Sequence, residues 1–334
     1  MNFCLNHSKL GDDRGVALIV VLWIFIFLFV VAFEFSTAAR EEAGAAHRFN
    51  EETEGYYLAI AGFERSLYDF LNQKGGAPTQ PPEPKSDFFD GLWREQSLGT
   101  GSYRTRFIDE SGKININRVS DETLRRVFTN LGIDPARRDV LVDSIMDWRD
   151  ADDLHRVNGA ETDYYASLAP GYSAKNGPLD SLADLLWIKG MTRELYFGTS
   201  ESTGAPPAQR SIGLSHIFTV DSPIDRVNLR TASAEVIYAL IGIPLERCVA
   251  FVEERKKLSE KTLGDLLPLL GIGAGDAALQ TFIFTNPSIV AVEAEGKPKE
   301  SRVPRRVKGI VRLGGAQGFE LLRWLDRDAA LPPD

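Results

Sequence analysis

Between Val16 and Phe33 the chain runs for eighteen residues without a charge, VALIVVLWIFIFLFVVAF. As a helix this run rises about 27 Å, close to the hydrocarbon thickness of a bilayer. Lipid offers no partner to a backbone amide, so only helices and closed barrels cross it, and this run lacks period-two alternation. A single membrane-spanning helix near the N-terminus is expected, with the polar mass of the chain behind it. Met1 to Arg14 form a short polar leader ending in a basic residue, and Gly15 joins it to the apolar run. A cleaved secretory signal has a shorter apolar core and small residues at the cut, a place that Thr37-Ala38-Ala39 would fill. A plain anchor needs no glycine at the junction.

The rest of the composition is that of an ordinary globular protein. The 334 residues are 43% hydrophobic and 25% charged, enough for two domains with their own cores. A net charge of −9 argues against nucleic acid as the main partner. Cys4 lies in the leader, which leaves Cys248 without an intrachain partner and excludes a disulfide framework.

Helical character is expected to continue beyond the membrane, since Glu34 to Leu71 holds no proline. Tyr56, Ile60, Phe63, Leu67 and Phe70 form one apolar stripe on such a helix. Residues 73–87 read as a surface loop. Ser102 to Asp109 reads as the first sheet strand, with Tyr103, Thr105 and Phe107 on one face. From Lys113 to about Asn286 the texture is short helices joined by polar turns. Ser120 is an expected N-cap, Pro135 opens a helix, Ser181 starts a third, and Tyr196-Phe197-Gly198 closes a fourth. An internal repeat runs through this block. Lys113-Ile-Asn-Ile-Asn-Arg-Val-Ser reads like Arg226-Val-Asn-Leu-Arg-Thr-Ala-Ser, and each is followed by a helix, a glycine turn (Leu131-Gly132-Ile133 and Ile241-Gly242-Ile243) and a second helix. Each unit then reaches a Leu-rich helix and another glycine, Gly190 or Gly271. Strands return at Ile289–Glu295, Val303–Leu313 and Phe319–Leu325. The expected fold class is α+β, with a long N-terminal helix packed on an antiparallel sheet into which a large all-helical domain is inserted. The expected division is 1–15 leader, 16–36 membrane half of the helix, 37–112 with 287–330 as the α/β domain, and 113–286 as the helical insert. Arg302, Arg305, Arg306 and Lys308 read as the wet face of a strand.

One stretch carries site chemistry. Asp150, Asp152, Asp153, Glu161 and Asp163 place five carboxylates within fourteen residues. They repel one another unless a cation lies among them. Hard oxygens without a nearby cysteine point to Ca²⁺, with Asp150, Asp152, Glu161 and Asp163 as candidate ligands completed by backbone carbonyls. His155 does not make this a zinc site, and the spacing is not that of an EF-hand. The alternative is a solvated acidic turn.

The junction RGVALIVVLWIF resembles the N-terminus of a type IV pilin or pseudopilin. That resemblance implies cleavage after Gly15 by prepilin peptidase and a mature protein that begins, methylated, at Val16. Most pilins carry Glu at the fifth residue after the cut, where this chain has Val20. In the family that Glu meets the terminal amine of a neighbouring subunit. A subunit at the tip has no subunit ahead of it, and an unpaired carboxylate in lipid is costly, so Val20 points to a tip position. The chain as a whole resembles the minor pseudopilin K family of type II secretion. The segments that carry this are Asp147-Trp-Arg-Asp-Ala-Asp-Asp, Asn158-Gly-Ala-Glu-Thr-Asp-Tyr-Tyr, Asn176-Gly-Pro-Leu-Asp-Ser-Leu-Ala-Asp-Leu, the Val-Asn-Leu-Arg-Thr-Ala-Ser unit and the Arg-rich terminal hairpin. The resemblance implies a non-enzymatic inner-membrane protein with a single span and a periplasmic C-terminal domain. It implies partnership with minor pseudopilins I and J at the pseudopilus tip, where the family starts and caps assembly, and it adds weight to calcium.

The two repeat units also resemble helix-hairpin-helix or SAM-like modules. That opens a second reading, a membrane-anchored competence-type DNA-binding protein. Asp225 to Gln280 holds seven Lys/Arg against eight Asp/Glu, which is a poor electrostatic footprint for phosphates. An enzyme finds no support, because the sequence has no G-x-S-x-G, H-E-x-x-H or P-loop pattern.

Overall fold

The computed structural model describes residues 13–72, 86–199, 211–256, 263–273, 275–299, 301, 303–314 and 318–326. Most of the leader, most of the 73–87 loop and Arg302 lie outside these residues. The chain forms two compact units, residues 1–54 and 55–334.

The first unit is helical. Helix α1 (Asp13–Asn72) includes the apolar run, and every large hydrophobic side chain from Leu18 to Phe33 is exposed. Among the described residues it is the one helix long and apolar enough to cross a membrane.

The second unit begins inside α1, at Gly55. It continues through β1 (Arg94–Leu98), β2 (Gly101–Asp109) and β3 (Ile114–Asn115). Helices α2 (Asp121–Asn130), α3 (Pro135–Arg149) and α4 (Thr162–Ala166) come next, then a 3₁₀ turn at Leu182–Trp187 and α5 (Arg193–Phe197). Then follow β4 (Gly198–Thr199), β5 (Ser211–Ile212), α6 (Leu214–Ile217), β6 (Phe218–Thr219) and β7 (Val227–Asn228). Helices α7 (Ala234–Ile241), α8 (Leu245–Arg255) and α9 (Leu263–Leu266) precede β8 (Phe282–Ile283), and the chain ends in β9 (Ile289–Lys297), β10 (Arg305–Leu313) and β11 (Phe319–Leu325).

The main sheet has the order β1-β2-β9-β10-β11 and is antiparallel throughout. Strands β2 and β9 are neighbours in space, with Phe107 opposite Val292, although the whole helical block separates them in sequence. The rear of α1 covers one face. Ala59, Phe63, Leu67 and Phe70 bury against Phe107, Val290, Val292, Val307 and Val311, as the apolar stripe and the strand alternation require. Glycines permit the close approach. A Cβ on Gly296 would run into backbone atoms of Gly55 and Ala59, and one on Gly309 would meet the Phe63 ring.

The sheet differs from the sequence reading in three places. Ser102–Asp109 is the second strand, not the first, because β1 precedes it as an exposed edge whose sequence REQSL shows no apolar alternation. Strand β9 is buried on both faces through Gly296, since it lies at the centre of the sheet between α1 and the polar far side. The Arg306 and Lys308 side chains are not a free wet face. Arg306 pairs with buried Glu295, and Lys308 lies 3.6 Å from Glu293 and 3.7 Å from Glu110.

The helical block shares one hydrophobic core. The sequence repeat is a structural repeat. Asn115 and Asn228 occupy matching positions on parallel strand pairs, β3 with β6 and β7 with β8. Ser120 and Ser233 cap the helix that follows each, and Gly132 and Gly242 take φ near +75° at the turn. Arginines near the ends of the second helices, Arg149 and Arg255, each donate to two carbonyls of the strand-to-helix link. The Ile241-Gly242-Ile243 turn lies against Asn130 of the first repeat, which removes it as an open phosphate cradle.

Candidate metal centre

Helix α3 holds Asp147 in its last turn and ends with Asp150 as its C-cap residue, three positions on. Carboxylates there oppose the negative end of the helix dipole. Opposite them stands Glu161, which precedes α4 and makes no side-chain cap bond. One carboxylate oxygen from each of Asp147, Asp150 and Glu161 lies within 4.8 Å of the others.

The loop between them is built to hold this geometry. Asp147, fully buried, accepts the backbone N–H of Arg156 at 3.0 Å, and the Arg156 guanidinium bonds Asp121 at 2.6 Å. Asn158 donates both its backbone and side-chain N–H to Asp143, which Arg125 also holds at 2.6 Å. Gly159 passes so close to the Asp147 carboxylate that a Cβ there would collide with it. Lys189 donates to the Gly159 carbonyl at 2.8 Å.

Several acceptors at the centre have no donor. Both oxygens of Glu161, a residue only 1% exposed, are buried and unpartnered, and so is Asp150 Oδ1; Asn176, whose amide donates to the Asp152 carbonyl and to Asp153, also has a buried, unpartnered Oδ1. Burial, with Asp147 and Asp150 close by, pushes the Glu161 carboxyl up to about 7. Burial raises Asp147 and Asp150 as well, with Asp152 adding to the shift of Asp150. Mutually repelling carboxylates, with Glu161 and Asp150 Oδ1 buried and without hydrogen-bond donors, form a set that suits a hard divalent cation.

Of the four ligands read from the sequence, Asp150 and Glu161 converge. Asp152 and Asp163 do not join them: both are exposed, and each accepts a nearby backbone N–H, Leu154 at 2.9 Å and Tyr164 at 2.7 Å. Asp147 is the member that sequence reasoning passed over. Its three-residue spacing from Asp150 on a helix face was the available signal. Asn176 is uncharged and distant in sequence, and nothing in its local pattern marks it.

Comparison with known proteins places this region within a described family. A family model for the type II secretion system protein K matches residues 109–198, which span the first repeat unit and all three converging carboxylates. The type II secretion system protein K of Klebsiella pneumoniae is 27% identical over 58% of this chain, a match spanning 61% of that protein. The Pseudomonas aeruginosa protein K is 26% identical over 90% of this chain and 91% of its own length. In fold, the chain resembles a chain of the GspK–GspI–GspJ complex from enterotoxigenic Escherichia coli. The TM-score is 0.52 at 15% identity, over 88% of this chain and 99% of that one. The likeness to protein K thus extends over about nine-tenths of the chain in sequence and in fold, and the family model falls on the segment that holds the three carboxylates.

Proposed function

We propose that this protein is the minor pseudopilin at the tip of a type II secretion pseudopilus. In this reading it joins minor pseudopilins I and J, starts and caps pseudopilus assembly, and serves protein export as a structural part rather than a catalyst. The observation that carries the reading is the matched architecture, a long N-terminal helix seated on a sheet that holds a helical insert, which covers nearly all of a chain from a GspK–GspI–GspJ complex. Val20 supports the tip position, since a subunit with nothing ahead of it has no use for a membrane carboxylate. The repeat units take the helix-hairpin-helix or SAM-like name by resemblance. The expected result is that the full-length protein, solubilised in detergent and mixed with pseudopilins I and J, elutes as one 1:1:1 complex. Separate elution of the three at micromolar concentration overturns the reading.

The anchor is proposed to lie in the bacterial inner membrane with the second unit in the periplasm. Processing follows from the Gly15 junction. Prepilin peptidase cuts before Val16, and Gly15→Ala leaves the leader attached. N-terminal sequencing of the membrane-extracted protein checks this, and a start at Arg40 or an intact Met1 excludes it.

A structural calcium ion is proposed at Asp147, Asp150 and Glu161, with Asn176 Oδ1 as a further oxygen. Of the remaining candidates, Asp152 adds negative charge from the rim, and Asp163 is engaged with the first turn of its own helix. The donor set is all oxygen, which favours Ca²⁺ over zinc or copper.

A further inference from the structure

Arg323 and Trp324 are consecutive residues of the edge strand β11, so their side chains leave opposite faces of the sheet. Trp324 stands over α1. Its ring lies 5.0 Å from Phe63 at 90°, and its Nε1 and the Tyr56 hydroxyl both donate to Asp326 Oδ1, at 2.5 and 3.0 Å. Arg323 reaches the other way, into the helical insert, where its guanidinium donates to the Asp180 carbonyl and to the Asp221 carboxylate.

From Asp180 the chain leads back to the end of α3 and the Asp152–Asp153 loop beside the carboxylate centre. Lys175 forms an ion pair with the Asp180 carboxylate at 2.6 Å. Asn117 grips its middle, accepting the Leu179 N–H at 2.8 Å and donating to the Leu179 carbonyl at 2.9 Å. Pro178 fixes its own φ and stiffens the link. At the far end Gly177 N–H donates to the Trp148 carbonyl at 3.2 Å, on the helix that carries Asp147 and that Asp150 caps. Asn176 Nδ2 donates to the Asp152 carbonyl at 3.1 Å and to Asp153 Oδ1 at 3.0 Å, while its Oδ1 is buried without a partner.

We propose that residues 175–180 are a strap that carries cation occupancy at the Asp147–Asp150–Glu161 centre to Arg323 on β11, and through Trp324 to the rear of α1. The inference rests on reading that centre as a cation site. An ion that draws in Asn176 Oδ1 fixes one end of the strap. Because Asn117 and Pro178 hold the strap short and stiff, its other end, the Asp180 carbonyl, is fixed with it. The Arg323 fork then transmits that position to the strand whose next residue packs on α1. Arg323 is thus a positioning residue for the metal centre, remote from any ligand. Such coupling is reciprocal, so cutting the link at Arg323 also weakens calcium binding.

The test is hydrogen–deuterium exchange on the full-length protein in detergent, in calcium chloride against EDTA, together with a calcium titration. In the wild type, calcium slows exchange both in the Asp147–Glu161 loop and in β11. In Arg323→Ala the loop is still protected, β11 is not, and the calcium Kd rises at least about 5-fold. Arg323→Lys keeps the charge facing Asp221 but loses the two-sided fork, gives an intermediate result, and carries the comparison if the alanine variant does not fold. Calcium protection of the loop without β11 in the wild type overturns the strap and leaves the cation reading standing. Equal protection of β11 in wild type and variants overturns the strap as well. Calcium that leaves the wild-type loop unchanged overturns both.

Discussion

Removing bound cation with EDTA at neutral pH lowers the melting temperature of the detergent-solubilised protein by about 5–10 °C, and calcium restores it better than magnesium. The size follows from mass action. At a calcium level about one hundred times Kd, an ion that binds only the folded state stabilises it by about 2.7 kcal/mol. Magnesium dehydrates reluctantly and demands tighter octahedral geometry than an irregular oxygen cluster offers. The pH dependence of the metal-free protein has a definite sign. The Glu161 carboxyl titrates at about 7 in the fold against an ordinary value of 4.5, so between these values the folded state binds more protons than the unfolded one. Its contribution to stability is therefore present below the ordinary value and is lost as pH rises through about 7. Asp147 and Asp150, shifted the same way, add to the fall. Calcium abolishes this decline. Glu161→Gln removes the charge while keeping the shape, so the metal-free variant melts higher than the metal-free wild type above neutral pH and no longer responds to calcium. Asp163→Ala leaves the calcium response in place. A melting curve unchanged by EDTA, in protein shown to be metal-free, returns the loop to a solvated acidic turn.

Gly296→Ala lowers stability by about 3 kcal/mol or more, and a scan of glycine-to-alanine variants locates the effect at the seat of α1. The new Cβ meets the Gly55 carbonyl and the Ala59 amide, which are backbone atoms that no rotamer change can move. Helix α1 must lift from β9, and the contacts of Phe63, Leu67 and Phe70 loosen with it. Gly309→Ala costs less, because its neighbour is the far edge of the Phe63 ring, which can tilt. Gly273→Ala, exposed and with open space around it, changes little. Melting temperatures of the three variants check the ranking, and a Gly296→Ala protein as stable as Gly273→Ala would show that the helix is not seated where the structure puts it.

The local rules of the chain were strong where one periodicity dominates a long segment. The stripe from Tyr56 to Phe70 and the alternation from Tyr103 to Phe107 bury the side their spacing demands, and the apolar run is left exposed along one long helix. The repeated Asn-containing strands with their Ser caps were equally readable, because caps and glycine turns are short-range chemistry. Strand β1 was hidden, since an exposed edge strand needs only a partner to pair with and no apolar pattern of its own. The carboxylate count of the 150–163 loop pointed to a candidate cation site, but not to which carboxylates converge. Charge density is a property of sequence, whereas convergence depends on the angle between α3 and α4 and on the fold of the loop between them. That geometry turns Asp147 inward beside Asp150 and Glu161 and leaves Asp152 and Asp163 in solvent. The same holds for Arg306 and Lys308. Alternation marked them as an outward face, and pairing with β9 set buried Glu295 and Glu293 beside them, with Glu110 of the turn after β2 facing Lys308.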